Sequence, residues 1–473
     1  MTVSAIRKTS LLAALGLASF ALGCTRPTYP SELPDAAELG SPRGQRIARV
    51  ITHLHTPYSN DACDKVGLTD GVPSVECLTH LREALCKNRI DVALATDHPA
   101  HMAAYEFASL LLQASGDELL VDGAANTYAN RLAGCANGFR PYLTVGIEGR
   151  LLAMGMVKHL SGTAAQREEA YNAETQALRD DLVNTSEAVV MVPHTESRTV
   201  STIQTVNPHG IEIYNVHANL DPKIRKKDLG LPPFEHMSKI LGYLFDPYKS
   251  LNADFLFMKF VETPAIYFTR WNELIHGGLK LTGVGGSDSH ENIFPQKAAD
   301  GERLESHRRL TRFMSNHVVV GAATVPEVKQ ALRTGRSWLV FEGFGSPVGL
   351  DFYAVTGGTT YGMGETGTLG ANSATFTVTT PTLHTSSPGA GMGVDPEVRT
   401  ELKRVLANGA DEVVARSSGF GVGGNISYTT STAGAYRVEI FIRPRQLAKF
   451  IEAPDQAERE FRWIVSNHVY LAP

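Results

Sequence analysis

Five times in this chain a short apolar run ends on side chains of the kind that hold metal ions. The first is Ala48-Arg49-Val50-Ile51-Thr52-His53-Leu54-His55, followed by the turn Thr56-Pro57-Tyr58-Ser59. Side chains of a β-strand alternate faces, so His53 and His55 point the same way. Two neutral imidazoles on one face, at a strand's C-terminal end, make half of a metal site. The second run, Ile90 to Thr96, ends in Asp97-His98, and the third, Pro141 to Ile147, ends at Glu148. The fourth, Ala188 to Val192, ends in Pro193-His194. The fifth, Leu281 to Gly285, runs into Gly286-Ser287-Asp288-Ser289-His290.

Two weaker pieces fall between these. Leu151 to Val157 leads to His159, and the strand Gly210 to Tyr214 carries Glu212 and is followed by His217. For Glu212 and His217 a hydrogen-bonding structural role is the expectation. Helical sequence separates the strands: Cys77–Asn88, with Leu78, Leu81 and Leu85 on one stripe, then Ala104–Gln113 and Ala164–Leu182. Val318–Val320, a helix over Val325–Arg333 and a strand over Ser337–Phe341 close this half of the chain. Strand alternating with helix implies parallel strands joined by right-handed crossovers. An open sheet would gather a site at one switch point, from two or three strands. Contributions from five strand ends place the ligands instead at the mouth of a barrel, over about residues 46–342.

Beyond Glu342 the texture changes. Leu350–Val355, Ala374–Thr379, Glu401–Leu406, Glu412–Arg416, Ile426–Thr429, Tyr436–Ile442 and Phe461–Val465 read as short strands, with Asn408-Gly409 as a hairpin turn. No long helix intervenes, so residues 343–473 are expected to form a β-sandwich. His384 and His468 have no ligand-type neighbours in sequence and are read as surface or packing residues.

The N-terminus is a targeting segment. Arg7 and Lys8 precede an apolar stretch, Leu11 to Leu22, too short to span a bilayer. Ala21-Leu22-Gly23-Cys24 resembles a bacterial lipoprotein cleavage site with Cys24 as the lipidated residue. Residues 1–24 are thus expected to be removed or anchored, and 25–45 to tether an exported domain to a membrane, facing periplasm or cell surface. Four cysteines remain, Cys63, Cys77, Cys86 and Cys135, enough for two disulfides in three possible pairings. Cys77 and Cys86 sit on opposite faces of one helix, which favours Cys63–Cys77 with Cys86–Cys135. The formal charge of −5 argues against an extended nucleic-acid surface.

The ligand inventory is His53, His55, Asp61, His98, Glu148, His159, His194, Asp288 and His290, all nitrogen and oxygen donors. That suits two or three divalent ions such as zinc, manganese or iron. His-Leu-His-Thr-Pro-Tyr-Ser, Ala-Thr-Asp-His, Gly-Ile-Glu, Pro-His and Gly-Ser-Asp-Ser-His, in that order, resemble the polymerase and histidinol phosphatase (PHP) superfamily of metal-dependent phosphoesterases. The resemblance covers about residues 46–341 and implies an α/β fold, a distorted (β/α)7 barrel. It implies that His53, His55, Glu148 and Asp288 hold one metal. Glu148 would bridge to a second held by His159 and His194, and a third would sit among His98, His290 and Asp61. Asp97 would orient a ligand histidine, and catalysis would rest on Glu148, Asp97, Asp288 and His290. Arg150 and Arg198, close in sequence to Glu148 and His194, are candidates to bind the substrate's phosphate.

The leading expectation is therefore hydrolysis of a small or nucleotide-like phosphoester. An amidohydrolase-like barrel acting on a non-phosphate substrate also opens with His-x-His, but lacks the Asp-His seen at Asp97-His98. A non-catalytic lipoprotein that binds metal or ligand is the third reading.

Overall fold

The computed structural model describes residues 32–473, apart from 236, 246–250 and 452. The targeting segment 1–24 with Cys24, and residues 25–31 of the tether, lie outside the described residues. Among the described residues no helix is long and apolar enough to cross a membrane.

Seven strands close into a barrel: β1 (Arg46–Leu54), β2 (Val92–Ala95), β3 (Tyr142–Glu148), β4 (Leu152–Met156), β5 (Val189–Val192), β6 (Gly210–Asn215) and β7 (Thr282–Ser289). Each pairs with the next, and β7 returns to β1. All these pairs are parallel except the two made by β4, which runs antiparallel to β3 and β5. The all-parallel expectation fails there because only residues 149–151 connect β3 to β4. A link that short can make a hairpin but not a crossover.

Alternation along the strands sorts the core into two clusters. Ala48, Val50, Val92, Leu94, Leu152, Met154, Val189, Met191 and Val284 pack together with Val325, Val328 and Leu332 of the helix Val325–Thr334. Their neighbours Ile47, Ile51, Ala93, Ala153, Val190 and Ile211 belong to the surrounding core, toward the covering helices. The first cluster packs the barrel between its strands and that one helix, leaving the strands' C-terminal ends for polar side chains.

Other elements differ from the sequence reading in instructive ways. The helix Val75–Lys87 forms where the leucine stripe places it, with Ser74 as its N-cap. Ala104–Gln113 contains only a 3₁₀ turn, Phe107–Leu111. Ala164–Leu182 is broken into Ala164–Tyr171 and Gln176–Asn184, because Thr175 caps a second start by accepting from the Leu178 N–H. The disulfides are Cys63–Cys77 and Cys86–Cys135. The first ties the loop after β1 to the first turn of the helix Val75–Lys87.

After the barrel come β8 (Ser315–Val320) and β9 (Ser337–Val340). They are followed by β10 (Asp351–Thr356), β11 (Thr359–Gly362), β12 (Ala374–Thr379), β13 (Glu397–Val405), β14 (Asp411–Ser418), β15 (Ile426–Thr430), β16 (Gly434–Arg443), β17 (Phe461–Ser466) and β18 (Val469–Ala472). All seven strands expected here are present. β11-β10-β12-β15 form one sheet. β14-β13-β16-β17 form another, and β17 pairs with β9, β9 with β8, and β8 with the first half of β1. One hydrogen-bonded ladder therefore runs from the barrel into the C-terminal strands. Arg437 of β16 also meets the barrel helix Ala265–His276: it donates to Asn272 Oδ1 at 2.6 Å, and its guanidinium lies 5.4 Å from the Trp271 ring centroid.

His209, just before β6, accepts the Val190 N–H through Nδ1 at 3.0 Å. Burial, with Arg333 and Arg179 nearby, pushes its imidazole down to about 4 from the ordinary 6.5. The unfolded chain then takes up this proton before the folded one does. Stability from this group is present above pH 6.5 and is lost as pH falls through 4, an effect of roughly 1–2 kcal/mol after screening. Urea unfolding at several pH values should show the loss, and His209→Asn, an acceptor that does not titrate, should flatten it. An identical slope in both proteins would count against the assignment.

Candidate metal centre

The polar side chains converge at the C-terminal rim of the barrel. His53 does not reach it by simple alternation. The pairing register of β1 slips between Thr52 and Leu54, and His53 has φ 54°. His194 and Asp288 also have left-handed backbones, each with φ 50°. A non-glycine residue held there costs about 1–3 kcal/mol, and such strain gathers at functional sites. Here it turns each ligand-type side chain toward one point.

That point is where Glu148 and Asp288 face three of the imidazoles. His53 Nε2 lies 3.0 Å from Glu148 Oε2 and 3.2 Å from Asp288 Oδ1. His55 Nε2 lies 3.2 and 3.4 Å from the same two oxygens. The other Glu148 oxygen, Oε1, is 3.0 Å from His194 Nε2, which is also 3.4 Å from Asp288 Oδ2. Asp61 faces His98 Nε2 at 3.4 Å and His290 Nε2 at 3.5 Å. Two four-residue groups have donor atoms close enough to share a metal ion: His53, His55, Glu148 and Asp288, and then His55, Asp61, His98 and His290.

Five histidines are oriented in the same manner. His53 Nδ1 meets Glu212 Oε1 at 2.5 Å, His55 Nδ1 meets Ser59 Oγ at 3.0 Å, and His194 Nδ1 meets Glu196 Oε1 at 2.9 Å. His98 Nδ1 lies 3.1 Å from the Glu148 carbonyl, and His290 Nδ1 2.9 Å from the Asp288 carbonyl. Each Nδ1–H is thus directed at an oxygen, so each Nε2 presents a lone pair to the centre, the arrangement that fixes the tautomer of a metal-binding imidazole. Glu212 works twice, since its Oε2 accepts the His194 N–H at 2.8 Å. Its approach to His53 requires Gly286: a Cβ there would fall 1.9 Å from Glu212 Oε1.

The inner atoms of this cluster lack partners. His53 Nε2, His55 Nε2, His290 Nε2, Glu148 Oε2 and Asp288 Oδ1 are all buried without a hydrogen bond. Leaving so many buried polar atoms unsatisfied is costly, and divalent cations among them would satisfy them all. The donor set fits the ions expected from the sequence. Burial would lower the His53 imidazole, but Asp288, Glu148 and Glu212 outweigh it and raise it well above its ordinary value. Burial likewise opposes, and Asp61 and Glu148 overcome, a rise of His98 to about 9. Burial would raise Glu148, but His53, His194 and His55 hold it well below the carboxylate range.

Two of the sequence assignments are corrected. His159 is not brought to the cluster: its Nδ1 pairs with the Tyr171 hydroxyl and its Nε2 with the Tyr105 carbonyl, both at 3.0 Å. With both ring nitrogens engaged, it braces the loop before the helix Ala164–Tyr171. Asp97 does not orient a histidine by hydrogen bonding; it accepts from the Thr56 N–H and hydroxyl at 2.6 and 2.7 Å, holding the turn after β1. Glu196 has no sequence signal as a partner of His194. Arg150 and Arg198 do line the cleft of about 420 Å³ over Asp61, His98, Glu148 and His194. Arg198 Nε lies 3.5 Å from Glu174 Oε1.

No protein-family model matches the chain, and no curated protein matches it. Among solved structures it is similar to a two-domain protein containing a predicted PHP-like metal-dependent phosphoesterase from Bacteroides vulgatus. The match covers 92% of this chain and 98% of that one, at 11% identity and a TM-score of 0.30. The functional reading rests on the site itself.

Proposed function

We propose that the chain is a metal-dependent hydrolase of phosphoesters, with the PHP-type barrel as its catalytic part. The observation that carries this is the set of five imidazoles with Nδ1 tied to an oxygen and Nε2 aimed at Glu148, Asp288 and Asp61. Glu148 offers one oxygen to His53 and His55 and the other to His194, so it can join two donor groups. Cations bound there supply Lewis acidity and make water a nucleophile near neutral pH. The chain's own residues then do the positioning. Arg150 and Arg198 offer donors to anionic oxygens over the cleft, and Glu212, Ser59 and Glu196 fix the orientation of the imidazoles they meet. Asp97 acts one step removed, by holding Thr56 and so the loop that carries Ser59 and Asp61.

The targeting segment is read as a lipoprotein signal with Cys24 as anchor, placing the enzyme on the outer side of a bacterial membrane. Two disulfides support an exported location. The C-terminal strands are read as a two-layer sandwich, supported by Phe376 of β12 packing on Tyr436 of β16 at 4.5 Å between ring centroids. The functional test is metal analysis of residues 25–473 together with a panel of phosphomonoesters, phosphodiesters, amides and carboxylic esters. Bound divalent metal with turnover confined to phosphoesters is the expected result. Turnover of amides alone would replace this reading with the amidohydrolase one.

A further inference from the structure

His217 was not among the ligand candidates of the sequence, yet the fold brings it to the same rim. Asn215 ends β6 and caps the short helix Val216–Leu220 by accepting the Ala218 N–H at 2.8 Å. Its Nδ2 simultaneously donates to Asp288 Oδ2 at 3.1 Å. That pair of bonds ties the start of the helix to Asp288 and sets His217, two residues later, over the same carboxylate. Its ring centroid lies 5.1 Å from that of His290. A donor atom of His217, a carboxylate oxygen of Asp288 and a ring nitrogen of His290 all fall within 4.8 Å of one another.

The His217 Nδ1 is shielded from solvent and has no hydrogen-bond partner. Buried histidines away from the centre, such as His317 and His468, also leave a nitrogen unpaired; His217 differs from them in standing beside Asp288 and His290. A ring with an unpartnered buried nitrogen, standing beside a carboxylate and a second imidazole, fits a donor group that an ion would complete. His290 Nδ1–H points at the Asp288 carbonyl, so its Nε2 lone pair is the one it offers to an ion, and His217 stands beside that ring. Given the metal-centre reading, on which this rests, we infer that His217 is a further metal donor, to the ion that His290 binds beside Asp288. It adds an imidazole on the Asp288–His290 side of the centre.

The test is competition between the protein and a chelator for Zn²⁺, with metal counted by mass spectrometry, for wild type, His217→Ala and His217→Asp. The expected result is that His217→Ala releases one class of ion at a chelator concentration at least tenfold lower, while His217→Asp, which restores an oxygen donor, recovers part of the difference. Diethyl pyrocarbonate labelling of the wild type provides a measurement that needs no variant: Zn²⁺ should protect His217 from modification. Equal competition curves for wild type and His217→Ala, or labelling of His217 unchanged by Zn²⁺, would overturn the inference while leaving the centre intact. A wild type that binds no metal would overturn the centre and this inference together.

Discussion

Glu148→Gln should lose bound metal and hydrolysis together. The carboxylate accepts contacts from His53, His55 and His194 through two different oxygens, so its replacement breaks the link between donor groups. Removing an outer-shell partner of a metal ligand costs 10–100-fold in affinity or activity, and loss of a joining carboxylate should exceed about 100-fold. The glutamine is nearly isosteric, yet its amide would place N–H groups against imidazole lone pairs or leave them without a charge to face. Metal content and phosphoester turnover of purified wild type and variant provide the measurement. Unchanged turnover at wild-type metal content would show that Glu148 does not join the groups.

The second large effect concerns stability. Arg49 of β1 and Glu342, just past β9, form a doubly bonded ion pair at 2.8 and 2.9 Å with both side chains fully buried. The hydroxyls of Ser315 and Ser346 also donate to this carboxylate, at 2.6 and 2.9 Å. Glu342→Leu would leave the Arg49 guanidinium buried without its counter-charge, at a cost of about 3–5 kcal/mol. The double variant Arg49→Met, Glu342→Leu removes both charges and should recover much of that loss, because a buried pair replaced by apolar side chains is close to neutral. Denaturant unfolding of the three proteins decides it. A single variant as stable as wild type, or a double variant no better than the single, would contradict the account. The pair matters for architecture because it joins the first barrel strand to the point where the chain leaves the barrel.

Much of the candidate centre was legible in one dimension. His53, His55, His98, Glu148, His194, Asp288 and His290 each stand at the end of an apolar run, and a strand's C-terminal end is where a barrel opens. Apolar alternation also located the seven barrel strands to within a few residues. It did not give the direction of β4, which follows from the length of a three-residue connection rather than from hydrophobic pattern. Nor did it distinguish His159 from a ligand. Its sequence neighbourhood resembles one, but Tyr171 and Tyr105 reach both of its nitrogens from elements 12 and 54 residues away. Glu196 and Ser59 were invisible as partners for the same reason, since a hydrogen bond to a ring nitrogen leaves no periodicity.

Along the chain, then, residue types and spacing determined which side chains were available for metal chemistry and that parallel strands would carry them to one rim. Folding decided which nitrogen of each imidazole faces inward. That choice depends on oxygens such as those of Glu212, contributed by β6 to a histidine on β1, 159 residues earlier. It depends also on left-handed turns at His53, His194 and Asp288. Such contacts arise from the closure of the barrel, which brings distant strand ends within a few ångströms, and sequence spacing carries no record of that distance.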